Sequence, residues 1–348
     1  MKHTFIRLFA GALALCLLVG AAGCKKEPEE SSAPPTTTTK PTTTTTAAPE
    51  EKLPLNPFTG KNDIETANNR PIGFMVTDET ATLTQLNLEH ADMYIEAETE
   101  AGIPRVLALF SSIDRIPDVI GPIRSARPHF VKLAKALDAI YCHIGGSRSG
   151  LEMIKELGVN DMAAAYEINE ILKNSANFSW NRSAFTKEKV LAQVGNIPTT
   201  TDKTYSLFTF GAKEGSMPAA TVNVQLSESY HMAFTYNEET GLYEKHRNSL
   251  SSPVHVTYTG GTVTASNIIV MYAKRIPDRY DSYRYDFELT EGTGVLACGK
   301  TARNITWKMT DNGLFFYEED GKTTLSVAEG KTYVCLTNSA LASKTVIS

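Results

Sequence analysis

The sequence predicts an α+β or α/β protein: an N-terminal layered α/β domain with a mixed sheet, followed by a smaller, β-rich C-terminal domain. Three observations carry this. Between residues 53 and 200 short apolar runs alternate with stretches of helical period, the pattern of strands layered with helices. From 201 to 348 the texture changes to closely spaced runs rich in Val, Ile, Thr and aromatics, separated by turn residues such as Thr240-Gly241 and Asp320-Gly321. The composition, 42% hydrophobic and 21% charged, is that of a folded chain with enough apolar residues for a core. A length of 348 residues suits about two domains at roughly 150 residues each. The formal net charge of −5 argues against a nucleic-acid partner, which needs a basic face.

In the N-terminal half the expected strands are Ile72 to Val76, Met93 to Glu98, Val106 to Ser111, Val119 to Ile123 and Ala139 to Ile144. Helices are expected over Ala126 to Leu137, where Phe130, Leu133, Ala134 and Leu137 share a face, and near Gly150 to Leu157, Asn169 to Asn174 and Lys187 to Val194. In the C-terminal half the strand candidates are Tyr205 to Phe210, Ala220 to Leu226, His231 to Tyr236, Leu242 to His246 and Val254 to Tyr258, then Ile268 to Ala273, Tyr283 to Leu289, Gly294 to Cys298, Ile305 to Met309 and Leu314 to Tyr317. Nothing repeats at a fixed period, which argues against a solenoid or propeller.

Ahead of these domains, residues 1 to 23 read as a secretory signal. Lys2 and Arg7 form the positive start, Leu8 to Ala22 the apolar run, and Ala21, Ala22 and Gly23 a small-residue cleavage region. The run is shorter than the ~20 residues a membrane-spanning helix needs. Cys24 directly after Ala-Ala-Gly resembles the lipobox of bacterial lipoproteins, with Ala21 where Leu is usual; that resemblance implies a diacylglyceryl thioether on Cys24 and further acylation by chains such as palmitate. Residues 24 to 52 read as a disordered tether, because the threonine-rich run Thr36 to Thr46 and Pro34, Pro35, Pro41 and Pro49 cannot bury a core. With Cys24 lipidated, Cys142, Cys298 and Cys335 remain, an odd set that leaves at least one free thiol. Cys298 and Cys335 both lie in strand-like segments and could pair.

Three constellations could carry chemistry. The first is Gly121 to Pro128, Gly-Pro-Ile-Arg-Ser-Ala-Arg-Pro, between a strand and a helix. With Ser125 as N-cap, Arg124 and Arg127 flank a helix N-terminus, where free N–H groups and the dipole favour an anion and two guanidiniums make a fork for phosphate or carboxylate. The second is His143-Ile144-Gly145-Gly146-Ser147-Arg148, another strand-to-helix junction whose glycines admit close approach of a ligand and whose Ser147 and Arg148 supply donors. Both loops leave strands at the end where α/β sheets bind ligands. The Walker lysine and the dinucleotide spacing are both missing, so no nucleotide cofactor is expected. The third is Glu96, Glu98 and Glu100, which share a face if the strand continues through them. They could bind a divalent metal, act as acid and base with His143 as proton carrier, or pair with Arg105, Arg124 and Arg127. No Cys/His metal spacing and no Gly-x-Ser-x-Gly elbow is present.

At these residues the chain resembles a family. Asn56-Pro57-Phe58-Thr59-Gly60, Arg70-Pro71-Ile72-Gly73, Glu96 with Gly102-Ile103-Pro104-Arg105, Gly121 to Pro128 and His143 to Ser147 are similar to successive signatures of the YerB-like lipoproteins, which carry domain of unknown function 3048. Asn267 to Val270, Gly292 to Gly294 and Thr306-Trp307-Lys308 are similar to that family's C-terminal module. Two positions depart from it: Asp78-Glu79 stands where an Asp-Asn pair is usual, and Trp180 in Ser179-Trp180-Asn181 where the family has histidine. The resemblance implies an extracytoplasmic protein, mainly of Gram-positive bacteria, tethered to the outer face of the cytoplasmic membrane and facing the cell wall; it implies no particular activity.

The expected function is therefore binding of an anionic envelope ligand (glycan, phosphate-bearing polymer or phosphorylated metabolite) by Arg124, Ser125, Arg127, His143, Gly145, Gly146, Ser147 and Arg148 in one crevice. The enzymatic alternative is a hydrolase or transferase acting on glycosidic or phosphodiester bonds, with Glu96, Glu98 and His143 as catalytic groups. The third alternative is a scaffold for a membrane complex.

Overall fold

The computed structural model describes residues 53–79, 85–163, 166–168, 183–205 and 207–348. The signal, Cys24, the tether, Asn169 to Asn174 and Ser179-Trp180-Asn181 lie outside the described residues. The N-terminal half forms strands β1 (Ile72–Thr77), β2 (Met93–Glu98), β3 (Pro104–Phe110), β4 (Val119–Ile120), β5 (Ile140–Cys142), β6 (Asp161–Met162), β7 (Tyr166–Ile168) and β8 (Ser183–Thr186), with helices α1 (Pro128–Ala136), α2 (Arg148–Leu157) and α3 (Lys187–Val194). The C-terminal half forms β9 (Thr209–Phe210), β10 (Met217–Pro218), β11 (Thr221–Gln225), β12 (His231–Asn237), β13 (Leu242–His246), β14 (Thr264–Ala265) and β15 (Asn267–Pro277). It continues through β16 (Tyr285–Glu288), β17 (Glu291–Cys298), β18 (Thr301–Thr310), β19 (Gly313–Glu318), β20 (Ser326–Val327), β21 (Thr332–Asn338) and β22 (Val346–Ile347).

The mixed sheet expected of the first half is present, but it is larger than expected and strands dominate both halves, with few helices. The sheet runs β10-β18-β17-β15-β21-β2-β3-β1-β5-β6, with β16 and β19 attached to β15 and β18. It therefore takes strands from both sides of residue 200. The joint is β21, which lies parallel to β2 on one side and parallel to β15 on the other. A second sheet, β14-β13-β12-β11-β22, is antiparallel throughout.

The side-chain alternation of the central strands divides the interior into two layers. Ile72, Phe74, Val76, Tyr94, Tyr333 and Cys335 pack with Val222, Val224, Met232 and Phe234 of the second sheet. Met75, Met93, Ile95, Leu107, Leu109, Val334 and Leu336 pack with Phe130, Val131, Leu133 and Ile154 of α1 and α2. Strands covered on both faces need apolar residues at every position, which is why β1 and β3 read as continuous hydrophobic runs.

The helices begin and end where local chemistry dictates. Ser147 caps α2 by accepting from the Gly150 N–H at 3.1 Å, Thr186 caps α3 by accepting from the Lys189 N–H, and Pro128 opens α1 with a ring that needs no donor partner. Ser125 does not cap α1. The N-cap is Arg127, in an extended conformation and without a side-chain cap, because the chain stays extended through residue 127 before turning. Val254 to Tyr258 makes only isolated bridges rather than a strand. Cys142, Cys298 and Cys335 are free and buried, so the pairing considered for the last two does not form. No helix among the described residues is long and apolar enough to cross a membrane.

Because Leu336 sits fully buried in the strand that joins the two halves, Leu336→Ala is expected to cost about 3 kcal/mol. Tyr283, 83% exposed, serves as the control, with Tyr283→Ala expected within ~0.5 kcal/mol of wild type. Urea unfolding followed by circular dichroism checks both; equal midpoints for the two variants would contradict this account of the joint.

Candidate functional site

Two loops meet at the ends of β1 and β5. Backbone hydrogen bonds from Arg124 N to Met75 O (2.8 Å), Ile144 N to Arg124 O (3.1 Å), Ala126 N to Gly145 O (3.0 Å) and Ser147 N to Ala126 O (3.2 Å) stitch the 121–127 loop between β1 and the 144–147 loop. This contact explains the glycines. A Cβ on Gly150 would stand 2.9 Å from the Ala126 carbonyl oxygen, and Gly145 adopts φ +56° with open space around it. Gly150 thus lets the loops approach each other, and Gly145 makes the turn.

The stitched loops present a cavity of about 310 Å³ lined by Glu79, Glu100, Arg105, Ile123, Arg124, Ser125, Arg127, Ile144 and Ser183. Arg105 comes from β3 and donates to Glu100 Oε1 at 2.9 Å and to the Ser125 carbonyl at 3.0 Å. Arg127 donates Nε to Glu100 Oε2 at 2.7 Å and a second N–H to Oε1, a bidentate fork, and a third to the Ala126 carbonyl at 2.7 Å. Arg124 is nearly buried and lies in the field of Glu79. Burial alone would raise the Glu100 pKa, but the Arg127 hydrogen bond and the charges of Arg105 and Arg127 bring it down to about 2. Burial and the charge of Arg127 lower Arg105 to about 10, a range in which the guanidinium stays charged at neutral pH. Behind the cavity, Arg105 Nε, Tyr141 Oη and both ring nitrogens of His129 are buried and find no partner among the described residues.

Of the residues singled out in the sequence, Arg124, Ser125 and Arg127 therefore line one cavity, together with Glu100, Arg105 and Ile144. The others are placed elsewhere. His143 is buried, with Nδ1 2.7 Å from the Gly145 carbonyl and Nε2 3.0 Å from Asp161, and it stacks on Tyr141. Gly145, Gly146 and Ser147 are spent on the loop contact and the α2 cap. Arg148 points outward, pairs with Glu152 at 3.0 Å and lies over the Tyr280 ring.

The three glutamates do not share one face. β2 ends at Glu98, and Glu100 sits in a 3-10 turn with Ala101 at φ 56° that swings it toward the arginines. Glu98 is held by Arg275 at 2.9 Å beside a separate cavity of about 260 Å³ with Ser227 and Tyr285; burial raises its pKa and Arg275 opposes the rise. Glu96 lies in the sealed interior between the two sheets. There Tyr333 Oη donates to Glu96 Oε2 at 2.6 Å, and Lys245 Nζ stands 2.6 Å from Asp78 Oδ2 and 3.6 Å from Glu96 Oε2. No group of three or more His, Cys, Asp or Glu with a metal-holding arrangement occurs among the described residues. A larger groove of about 620 Å³, lined by residues such as Leu55, Asn68, Tyr205 and Phe210, holds only Lys203 and Glu329 as charged groups, and so offers less for recognition.

Sequence reasoning treated Arg105 only as an ion-pair partner and passed over Lys245. The signal for Lys245 was its position two residues after Tyr243 on β13, which turns it inward with that ring.

The model of the DUF3048 N-terminal domain, described as a protein of unknown function, matches residues 58–205, and that of its C-terminal domain matches 222–334. The chain belongs to the DUF3048 family. It is 26% identical over 292 residues to the "Putative lipoprotein YerB" of Bacillus subtilis (strain 168), covering 80% of this chain and 84% of that protein. The crystal structure of YerB protein from Bacillus subtilis superposes with a TM-score of 0.72 at 21% identity, covering 84% of this chain and 99% of that one, and shows the same fold.

Glu100 yields two expected outcomes. Its folded pKa of about 2 lies below the ordinary 4.5, so its contribution to stability is present above pH 4.5 and is lost as pH falls toward 2. Acid titration of the unfolding midpoint, with Glu100→Gln as the variant lacking that slope, checks this. Glu100→Ala leaves Arg105 and Arg127 without their carboxylate and is expected to cost about 3 kcal/mol, measured by urea unfolding at neutral pH.

Proposed function

We propose that the protein is a lipid-anchored extracytoplasmic protein whose arginine crevice binds an anionic ligand of the cell envelope: a glycan, a phosphate-bearing polymer or a phosphorylated metabolite. The observation that carries this reading is the charge around the 310 Å³ cavity. Arg105, Arg124 and Arg127 face it against Glu79 and Glu100, three cations to two carboxylates. Burial and backbone contacts hold Arg105 and Arg127 in place before any ligand arrives, so an anion need not order them. The Arg127 fork on Glu100 has the geometry in which an oxyanion is gripped, and Ser125 and Ser183 are among the residues lining the cavity.

The anchor rests on Cys24 and on the family's lipoprotein member. A diacylglyceryl thioether there, followed by the Thr/Pro-rich tether, holds the crevice away from the outer face of the membrane, among the anions of the wall. Cys24→Ser is expected to move the protein from the membrane pellet to the soluble fraction, read by immunoblot of fractionated cells.

For the ligand, thermal unfolding of the protein is measured with inorganic phosphate, phosphorylated sugars and cell-wall fragments. A ligand at a hundred times its dissociation constant adds ~2.7 kcal/mol of stability. That gain is expected in wild type and lost in Arg124→Ala; the same gain in both proteins would place binding elsewhere, and none with any probe would refute an anion site.

A further inference from the structure

We propose that Lys245 and Asp78 are joined through their side chains by an intramolecular amide bond, formed autocatalytically in the interior with Glu96 as the proton-transferring group. Lys245 is 1% exposed and Asp78 3%, and Lys245 Nζ approaches Asp78 Oδ2 to 2.6 Å. A fully buried lysine on a strand is rare, and here it faces a carboxylate on the chain just past β1, a strand of the other sheet. Glu96, also 1% exposed, completes a triad, with Oε2 at 3.6 Å from Nζ. The Tyr333 hydroxyl fixes Glu96 from the other side at 2.6 Å, and the Tyr333 ring lies under Nζ at 5.9 Å. An amine, a carboxyl and a second carboxyl able to carry protons are thus held together in the interior, each no more than 3% exposed, which is what condensation to an amide requires.

The step balances without any outside reagent. Nζ first passes a proton to Asp78 Oδ2, turning the ion pair into a neutral amine and acid, a change the dry surroundings favour relative to water. The nitrogen lone pair attacks Asp78 Cγ to form the C–N bond. The protonated Glu96 gives its hydroxyl proton to the departing Asp78 hydroxyl while its carbonyl oxygen takes one from the nitrogen, the C–O bond breaks, and one water leaves with Glu96 again carrying a single proton. Glu96 suits this relay because burial pushes its pKa up to about 8, so it holds a proton at neutral pH. Burial opposes the charge on Lys245 and on Asp78 alike, but their attraction for each other, with His255 3.4 Å from Asp78 Oδ1 and Glu96 beside Lys245, lowers the Asp78 pKa and raises that of Lys245, so the pair rests ionised until the proton moves. The product ties β13 to the chain just past β1 and closes a loop across 167 positions of sequence.

The test is mass spectrometry of the full chain after denaturation and proteolysis. Wild type is expected to give a branched peptide containing both Asp78 and Lys245, lighter than the two linear peptides together by one water, with near-complete loss of those linear peptides. It is also expected to run faster than Lys245→Arg on a denaturing gel. Glu96→Gln keeps the shape of the site but not its proton relay, and is expected to restore the linear peptides. Wild-type protein that yields only linear peptides, with an unmodified Lys245, overturns the proposal; a bond formed equally well in Glu96→Gln overturns the role of Glu96.

Discussion

Strand β21 hydrogen-bonds to β2 on one side and to β15 on the other, and the architecture depends on that insertion. Without it the β2-β3-β1-β5-β6 block and the β15-β17-β18 block would each present an open edge with unpaired backbone groups. The strand is seven residues long and buried through its first six, so both faces contribute: Tyr333 and Cys335 to the layer beneath the second sheet, Val334 and Leu336 to the layer beneath the helices. Pairing two halves of the chain through one strand near its end also means the two halves cannot be treated as independent in stability.

The insertion positions both charged constellations. Fixing β2 beside β21 places Glu96 against Tyr333 in the sealed layer. The same strand then ends at Glu98, and the turn at Ala101 carries Glu100 out to the arginines. Two carboxylates four residues apart thus meet different surroundings. Burial dominates at Glu96 and favours its proton, while charge-assisted hydrogen bonds dominate at Glu100 and favour its anion.

Much of the fold was legible because it rests on local pattern. Met93–Glu98, Leu242–His246 and Lys187–Val194 form with the bounds the hydrophobic period predicts. The Gly121 to Pro128 loop stood out in the sequence for its two arginines, and both line the 310 Å³ cavity. What misled was context. Ser125 has the chemistry of an N-cap, but backbone bonding of Ala126 to the 144–147 loop keeps the chain extended until Pro128. The glycines at 145 and 150 suggest room for a ligand, but at Gly150 that room is filled by the Ala126 carbonyl of the neighbouring loop, and at Gly145 glycine serves the turn's positive φ. Arg148 and His143 lie close in sequence to the crevice and face away from it, since a helix start and a strand end send successive side chains in different directions.

The sequence by itself determined segments such as Met93–Glu98, Leu242–His246 and Lys187–Val194, and that two arginines precede α1, because these follow from short-range periodicity and from the chemistry of single residues; Thr332–Asn338 was not among the strands it predicted, and Val254 to Tyr258 forms none. Only the tertiary structure decided that β21 closes one sheet from two halves, that Arg105 joins Arg124 and Arg127, and that Lys245 meets Asp78 and Glu96. Those pairings connect residues tens to hundreds of positions apart. They are selected by the burial of whole strand faces, a quantity no local window of sequence contains.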